Sequence, residues 1–152
     1  MEKLDDLDRK ILNALQSDAA ISLDQLGDTI GLSRNACWRR VKAMETSGVI
    51  TKRVALIDAQ KVDLGLMVFM QVRTNSHDPK WQLEFSNATN AISGILSVYR
   101  MTGDLDYLIR ARVSDMADYD RLYQQLITRM PIADIAASFV MEEIKDSTAL
   151  TV

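Results

Sequence analysis

The 152-residue sequence predicts an α+β protein of two units, an N-terminal winged helix-turn-helix and a C-terminal ferredoxin-like βαββαβ unit. Two patterns predict this class. Apolar residues recur at helical spacing through the first 50 residues, and strand-like apolar runs alternate with helical stripes after residue 60. A composition of 47% apolar and 26% charged residues excludes a disordered chain.

Several classes of protein are excluded at once. No apolar run approaches the roughly 20 residues of a membrane span, and the acidic N-terminus lacks the apolar core of a secretory signal. The single cysteine, Cys37, excludes an intramolecular disulfide, and with one histidine it cannot form a zinc site of the usual kind. We therefore expect a cytoplasmic protein that needs no metal or cofactor.

The first unit contains start and stop signals for three helices. Ser22 and Gln25 have the spacing of a capping box at the start of the second helix. Gly31 is placed to end that helix, and Ser33 to cap the third. A turn of about three residues that contains glycine, between two amphipathic helices, is typical of a helix-turn-helix.

The third helix presents side chains that bind phosphates and base edges on its outward face. Residues 30–56 contain six basic side chains and one acidic, for a net charge of +5, on a chain whose net charge is −3. The β-branched segment 49–57 predicts a strand pair or wing that carries Lys52 and Arg53 at its tip. A three-helix packing unit with a solvated, charged surface is the alternative.

The second unit is predicted as βαββαβ. Its strands are 64–73, 94–102, 106–113 and 135–144, with helical stripes at 81–92 and 119–130, which divides the chain into residues 1–60 and 61–152. The two helices can cover only one face of the sheet. Because the first strand is apolar on both faces, the other face predicts a sheet-to-sheet homodimer.

Four segments resemble the Lrp/AsnC family of transcriptional regulators, over nearly the whole chain. They are Leu7–Leu12, Leu32–Ile50, Gly103–Leu108 and Ser138–Lys145. The segments Ala36–Trp38 and Tyr99–Tyr107 are also similar to a cysteine-responsive subgroup. The resemblance implies a sequence-specific DNA-binding regulator, whose dimers assemble into octamers or similar rings and bind free amino acids between dimers. An architectural protein that wraps DNA without an effector is the alternative.

The resemblance also implies two sets of site residues. The contacts to double-stranded DNA fall on Ser33, Arg34, Asn35, Trp38, Arg39, Arg40 and Lys42, to which we add Lys52 and Arg53. The effector positions are Arg100, Met101, Thr102, Gly103, Asp104, Asp106, Met116, Ser138, Phe139 and Val140. Backbone N–H groups of a glycine turn can hold an α-carboxylate, and Asp106 can accept the ammonium group.

Several residues keep two interpretations at this stage. Trp38 contacts DNA or packs on the second helix, and Arg40 meets a phosphate or an intramolecular carboxylate. Cys37 shares a stripe with Val41, which favours burial over redox sensing. Asp104 and Asp106 have no mapped nucleophile or base beside them, so we expect no enzymatic activity.

Overall fold

The computed structural model describes residues 4–152, which divide into two units. One unit contains the N-terminal part of the chain through Leu56 together with Lys145–Val152, and the other is Ile57–Ile144. The division predicted from sequence assigned residues 145–152 to the second unit. These residues instead pack with the first unit, for the reason given below. None of the described helices is long and apolar enough to cross a membrane.

The first unit contains three helices, each begun by a side-chain cap. Helix α1 spans Asp6–Ser17, α2 spans Leu23–Ile30, and α3 spans Arg34–Thr46. The predicted capping box is present at α2, because the Ser22 hydroxyl accepts from the Gln25 backbone N–H and the Gln25 side chain accepts from the Ser22 backbone N–H. Ser33 caps α3 by accepting from the Ala36 N–H.

The turn between α2 and α3 depends on two glycines. Gly31 has a φ of 79°, a left-handed conformation that favours glycine. The carbonyl of Gly27 accepts from the N–H groups of Gly31 and Leu32, at 2.8 and 2.9 Å. A Cβ on Gly27 would lie 2.5 Å from the Leu32 carbonyl oxygen, so the turn closes onto α2 at a position that only glycine fits.

The C-terminal segment completes the first unit. The Gln16 side chain donates to the Leu150 carbonyl at 3.0 Å and accepts from the Leu150 N–H at 2.6 Å. Val152 is partly buried against the core that contains Ile11 and Leu26. This pairing is why residues 145–152 belong with the three helices.

The predicted wing is not formed. No β-strand occurs between residues 49 and 57, and Val54, Leu56 and Ile57 are exposed. The segment has a β-branched composition, but a strand also needs a neighbouring strand to pair with, and within residues 4–152 no strand pairs with this segment. The helix-turn-helix therefore stands without the wing that we predicted.

The second unit has the predicted βαββαβ order. Its elements are β1 Leu66–Arg73, α4 Pro79–Asn90, β2 Ile95–Arg100, β3 Tyr107–Val113, α5 Met116–Arg129 and β4 Asp134–Phe139, preceded by a 3-10 helix at Ala59–Val62. The sheet is antiparallel in the order β2-β3-β1-β4. The last strand ends at Phe139, not at Ile144 as predicted, because pairing with β1 stops there.

The two faces of this sheet differ. On the face toward α4 and α5, Val68, Met70 and Ile109 pack with Trp81 and Phe85 in a buried core. Since side chains alternate along a strand, the opposite face carries the neighbouring residues. Among them are Phe69, Tyr99, Leu108 and Arg110. No helix of this unit covers that face.

Candidate functional site

The outward face of α3 is the candidate DNA-binding surface. Cys37, Val41 and Met44 face the core, so the residues between them point away from it. All six residues predicted to face outward are exposed: Ser33, Arg34, Asn35, Trp38, Arg39 and Lys42. They lie within one helix and its cap, and this arrangement follows from the helical spacing alone.

Some of these cations have intramolecular partners. Arg34 donates to Asp24 of α2 at 3.0 Å, and both side chains are exposed. Glu45 is shared by Lys42 at 3.5 Å and Arg53 at 3.1 Å. Exposed ion pairs of this kind contribute little to stability, so a phosphate can replace the carboxylate at small cost. Within residues 4–152, Arg39 and Lys52 make no ion pair.

Arg40 is bound inside the unit. Its Nη1 atom donates to Asp5 at 2.8 Å and to Asp8 at 2.7 Å, both at the start of α1. The carboxylate alternative for Arg40 is therefore the observed one. Its hydrogen bonds to Asp8 and Asp5 raise the pKa of Arg40. The backbone N–H of Asp8, followed by Arg40, holds the pKa of Asp5 below its ordinary value.

Trp38 and Cys37 have opposite environments although they are adjacent. Trp38 is 55% exposed and borders a shallow depression of about 440 Å³ beside Arg39 and Lys42. It is not part of the buried core of the first unit, and its exposure favours the prediction that it contacts DNA. Cys37 is fully buried, and burial raises the pKa of its thiol. Such a thiol is an apolar core side chain and not a reactive one.

The predicted effector turn is fixed to the end of β1. The Asp106 N–H donates to the Val72 carbonyl at 3.0 Å, and the Asp106 carboxylate accepts from the Thr74 N–H at 2.8 Å. Arg73 donates to the Asp104 carbonyl at 3.0 Å. Gly103 has a φ of 101°, so the turn requires glycine there. These hydrogen bonds hold the turn against the end of β1.

Asp106 has a second neighbour that sequence reasoning missed. His77 Nδ1 lies 3.8 Å from Asp106 Oδ1, within salt-bridge range when the histidine is protonated. His77 is exposed and lies in the loop after β1. It follows β1 by four positions, and antiparallel pairing of β1 with β3 brings that loop to the start of β3. The sequence also did not predict the ion pair between Arg34 and Asp24, because the two residues lie ten positions apart on different helices.

The predicted effector residues form two groups at opposite ends of the sheet. Arg100 pairs with Tyr107 at the end where the turn 101–106 lies. Phe139 pairs with Val68, and Val140 donates to the Met67 carbonyl, at the other end of β1. Since Val68 and Val72 are four residues apart, the groups are separated by about 13 Å along the strands alone. One chain does not bring them together.

A concave region of the second unit lies outside both groups. It has a volume of about 590 Å³ and an apolar lining that includes Val62, Leu64, Leu96 and Leu122. None of the ten predicted effector residues borders it. The prediction from sequence thus points to a turn and two strand ends, and not to this cavity.

Comparison with known proteins decides the family. Residues 4–45 match the AsnC-type helix-turn-helix domain, and residues 67–150 match the Lrp/AsnC ligand binding domain. The chain belongs to the Lrp/AsnC family. Family members are transcriptional regulators, so the resemblance, the α+β fold and the regulatory function predicted from the sequence are confirmed.

Three similar Lrp/AsnC proteins illustrate the match. The glutamate uptake regulatory protein of Zymomonas mobilis is 44% identical over 150 residues, covering 99% of this chain and 92% of that protein. The DNA-binding transcriptional activator DecR of Escherichia coli is 38% identical, covering 98% of this chain and 99% of that protein. The crystal structure of a Neisseria meningitidis transcriptional regulator with L-Met superposes with a TM-score of 0.93, at 31% identity, covering 97% of this chain and 96% of that one.

Proposed function

We propose that this regulator binds double-stranded DNA with the outward face of α3 and responds to an amino acid bound between copies of the chain. The observation that carries the first part is that every residue predicted on the outward face of α3 and its cap is exposed. The proposal places the protein in the cytoplasm with its DNA, and it involves no catalysed reaction. A ligand-binding domain makes the alternative, a DNA-wrapping protein without an effector, the less favoured one.

The ion pairs distinguish the roles that we propose for the basic side chains of the first unit. Arg39 and Lys52 are available to phosphates directly, while Arg34, Lys42 and Arg53 exchange an exposed carboxylate for a phosphate or a base edge. Asn35 is placed to bind adenine and Ser33 a phosphate. Arg40 is the exception, since both Asp5 and Asp8 hold it. We assign Arg40 to the stability of the first unit and leave it out of the DNA contacts.

The assembly follows from the uncovered face of the sheet. Phe69, Tyr99 and Leu108 on that face are apolar, and the Nε atom of Arg110 is buried without a hydrogen-bond partner in the described chain. A second sheet packed there would cover the apolar side chains and offer Arg110 an acceptor. We therefore propose a homodimer, with further association into a larger ring such as an octamer.

The effector site is proposed to form when copies meet. Its two predicted groups lie at opposite ends of the sheet in one chain, so a neighbouring copy is needed to bring one group to the other. The turn 101–106 would hold the α-carboxylate with backbone N–H groups, and Asp106 Oδ1, which makes no bond to Thr74 and lies 3.8 Å from His77 Nδ1, would accept the ammonium group. The Neisseria regulator, which is solved with L-Met, supports an amino acid as the ligand class.

Regulation then acts through the assembly. Recognition helices related by a two-fold axis can enter successive major grooves roughly 34 Å apart. An amino acid that binds one assembly state more tightly shifts the population toward that state and changes which DNA sites can be spanned. A coupling free energy of about 1–3 kcal/mol is typical of such linkage.

The direct test compares two adjacent arginines. Arg39→Ala removes an unpaired cation, and we expect weaker DNA binding with a salt slope reduced by about one. Arg40→Ala should leave that slope unchanged and instead lower the free energy of unfolding of the first unit by about 1–2 kcal/mol, since it breaks partly exposed, charged hydrogen bonds. Binding isotherms at several salt concentrations and thermal unfolding measure both quantities.

The fragments to use are the DNA upstream of the gene for this protein and of its neighbours. An equal slope for Arg39→Ala and the wild type would remove Arg39 from the interface. A reduced slope for Arg40→Ala would show that the DNA displaces Asp5 and Asp8. Absence of salt-sensitive binding by the wild type to any fragment, including sequences selected from a random pool, would refute the DNA-binding surface itself.

The effector proposal is tested with Asp106→Asn. The amide keeps an oxygen that can accept from the Thr74 N–H, so the turn should stay in place, while the charge that binds an ammonium group is lost. We expect DNA binding without effector to be unchanged, and the response to amino acids to weaken at least tenfold. The response is measured with all twenty amino acids, and Asp120→Asn, at an exposed acidic residue of the same unit outside the predicted effector positions, serves as the matched control. A normal response in Asp106→Asn would move the ammonium site elsewhere.

A further inference from the structure

We infer that Trp38 is a specificity-determining residue, which contacts the 5-methyl group of a thymine in the major groove. The inference rests on the proposed DNA-binding surface and deepens it. Trp38 is the one large apolar side chain on the outward face of α3, within an otherwise polar set that includes Arg34, Arg39 and Lys42. Its 55% exposure leaves a large area of indole open to whatever the helix contacts.

Its position on the helix places it over base pairs. Arg34 lies four residues before Trp38 and Lys42 four residues after, so the three side chains follow one face of the helix at spacings of about 6 Å. The two cations are suited to the phosphates that border the groove. The residue between them faces the floor of the groove, where the base edges lie.

The chemistry of the indole then selects the base. A tryptophan side chain has one N–H donor, no acceptor and a large apolar surface. The major-groove edges of guanine, adenine and cytosine present only donors and acceptors, whereas thymine adds an apolar methyl group. The depression that Trp38 borders, lined also by Arg39, Lys42 and Ala43, has a mainly apolar surface against which that methyl group can pack.

Removal of the methyl group alone tests the contact. The wild-type protein first selects sequences from a random pool of duplex DNA, and each thymine of the preferred sequence is then replaced in turn by deoxyuridine. We expect one or two positions in each half-site to lose about fourfold in affinity, as expected for one buried methyl-sized group. With Trp38→Ala the same replacements should have no effect, and Trp38→Phe should show an intermediate loss.

The controls separate this inference from the proposed function. Asn35→Ala, on the same face, should keep the full uracil penalty at those positions. Trp38→Ala carries no change of charge and lies outside the core, so its salt slope and thermal unfolding should equal those of the wild type.

Three results would overturn the inference: no enriched thymine, no uracil penalty with the wild type, or a penalty that persists in Trp38→Ala. In each of them salt-sensitive binding by the wild type would still support the DNA-binding surface. Loss of that binding would instead remove the surface and the inference together.

Discussion

The outward face of α3 and the effector positions of the sheet are built from the chain in different ways. The first set lies on one helix of 13 residues and its cap, and a single chain presents all of it. The second set comes from a turn, a helix start and two strand ends, which the sheet order β2-β3-β1-β4 separates. A local element thus carries the whole of the first set, while the second set is divided between opposite ends of the sheet, and we propose that a neighbouring copy completes it. Variants should therefore affect the two functions separately.

The largest expected effect comes from a matched pair of core substitutions. Leu26 and Leu126 are both fully buried, one in each unit. Truncation of either to alanine should lower the free energy of unfolding of its own unit by about 2–5 kcal/mol. Leu26→Ala should impair DNA binding and Leu126→Ala the amino-acid response. Amide hydrogen exchange, resolved by peptide, measures the stability of each unit separately. Equal loss of protection in both units, from either substitution, would contradict the expectation that the two functions are affected separately.

A second pair of substitutions tests the turn of the helix-turn-helix. Gly27→Ala brings a Cβ to 2.5 Å from the Leu32 carbonyl oxygen, a backbone atom that cannot move without opening the turn. Overpacking of about 1–3 kcal/mol outweighs the gain in helix propensity of up to about 1 kcal/mol, so α2 and α3 should lose stability and the DNA affinity should fall. Gly65→Ala is the control, because its Cβ would meet nothing closer than 3.6 Å. Denaturant titration compares the two variants.

The smallest effect concerns acid. The pKa of Asp5 is held below its ordinary value of 3.8, so ionised Asp5 stabilises the first unit above that pH. This stabilisation is lost as the pH falls below about 3.8 and through the pKa of the folded state. Asp5→Asn keeps a capping oxygen but has no titrating charge. In this variant the stability of the first unit should therefore fall less steeply as the pH is lowered. Hydrogen exchange at pH 5 and at pH 3 checks this, with the second unit as internal reference.

Local signals predicted most of the fold. The Ser22–Gln25 capping box and Gly31 determine the α2 boundaries, and the alternation in β3 matches its buried and partly buried residues one for one. Segment 49–57 was wrongly assigned as a wing because strand propensity says nothing about whether a partner strand exists. The carboxylates that bind Arg40 lie more than 30 residues away, beyond the reach of any local pattern.

In the candidate sites, too, local sequence patterns predicted the local features but not the contacts between distant residues. Helical spacing predicted the exposed residues of α3, and the glycine turn was recognised at Gly103. The separation of Arg100 from Phe139 follows from strand order, which residue spacing does not encode. The packing of Gln16 against Leu150 also lacked a signal, since the C-terminal segment is short and has no apolar periodicity.

The docked C-terminal segment means that the chain passes between its two units twice, after Leu56 and after Ile144. A protease that cuts within residues 51–56 would sever only one of these passages. The N-terminal fragment would still bind the C-terminal segment of the other fragment, through the hydrogen bonds of Gln16 to Leu150 and the packing of Val152. A nicked protein should consequently elute as one species under native conditions and separate into two bands only after denaturation.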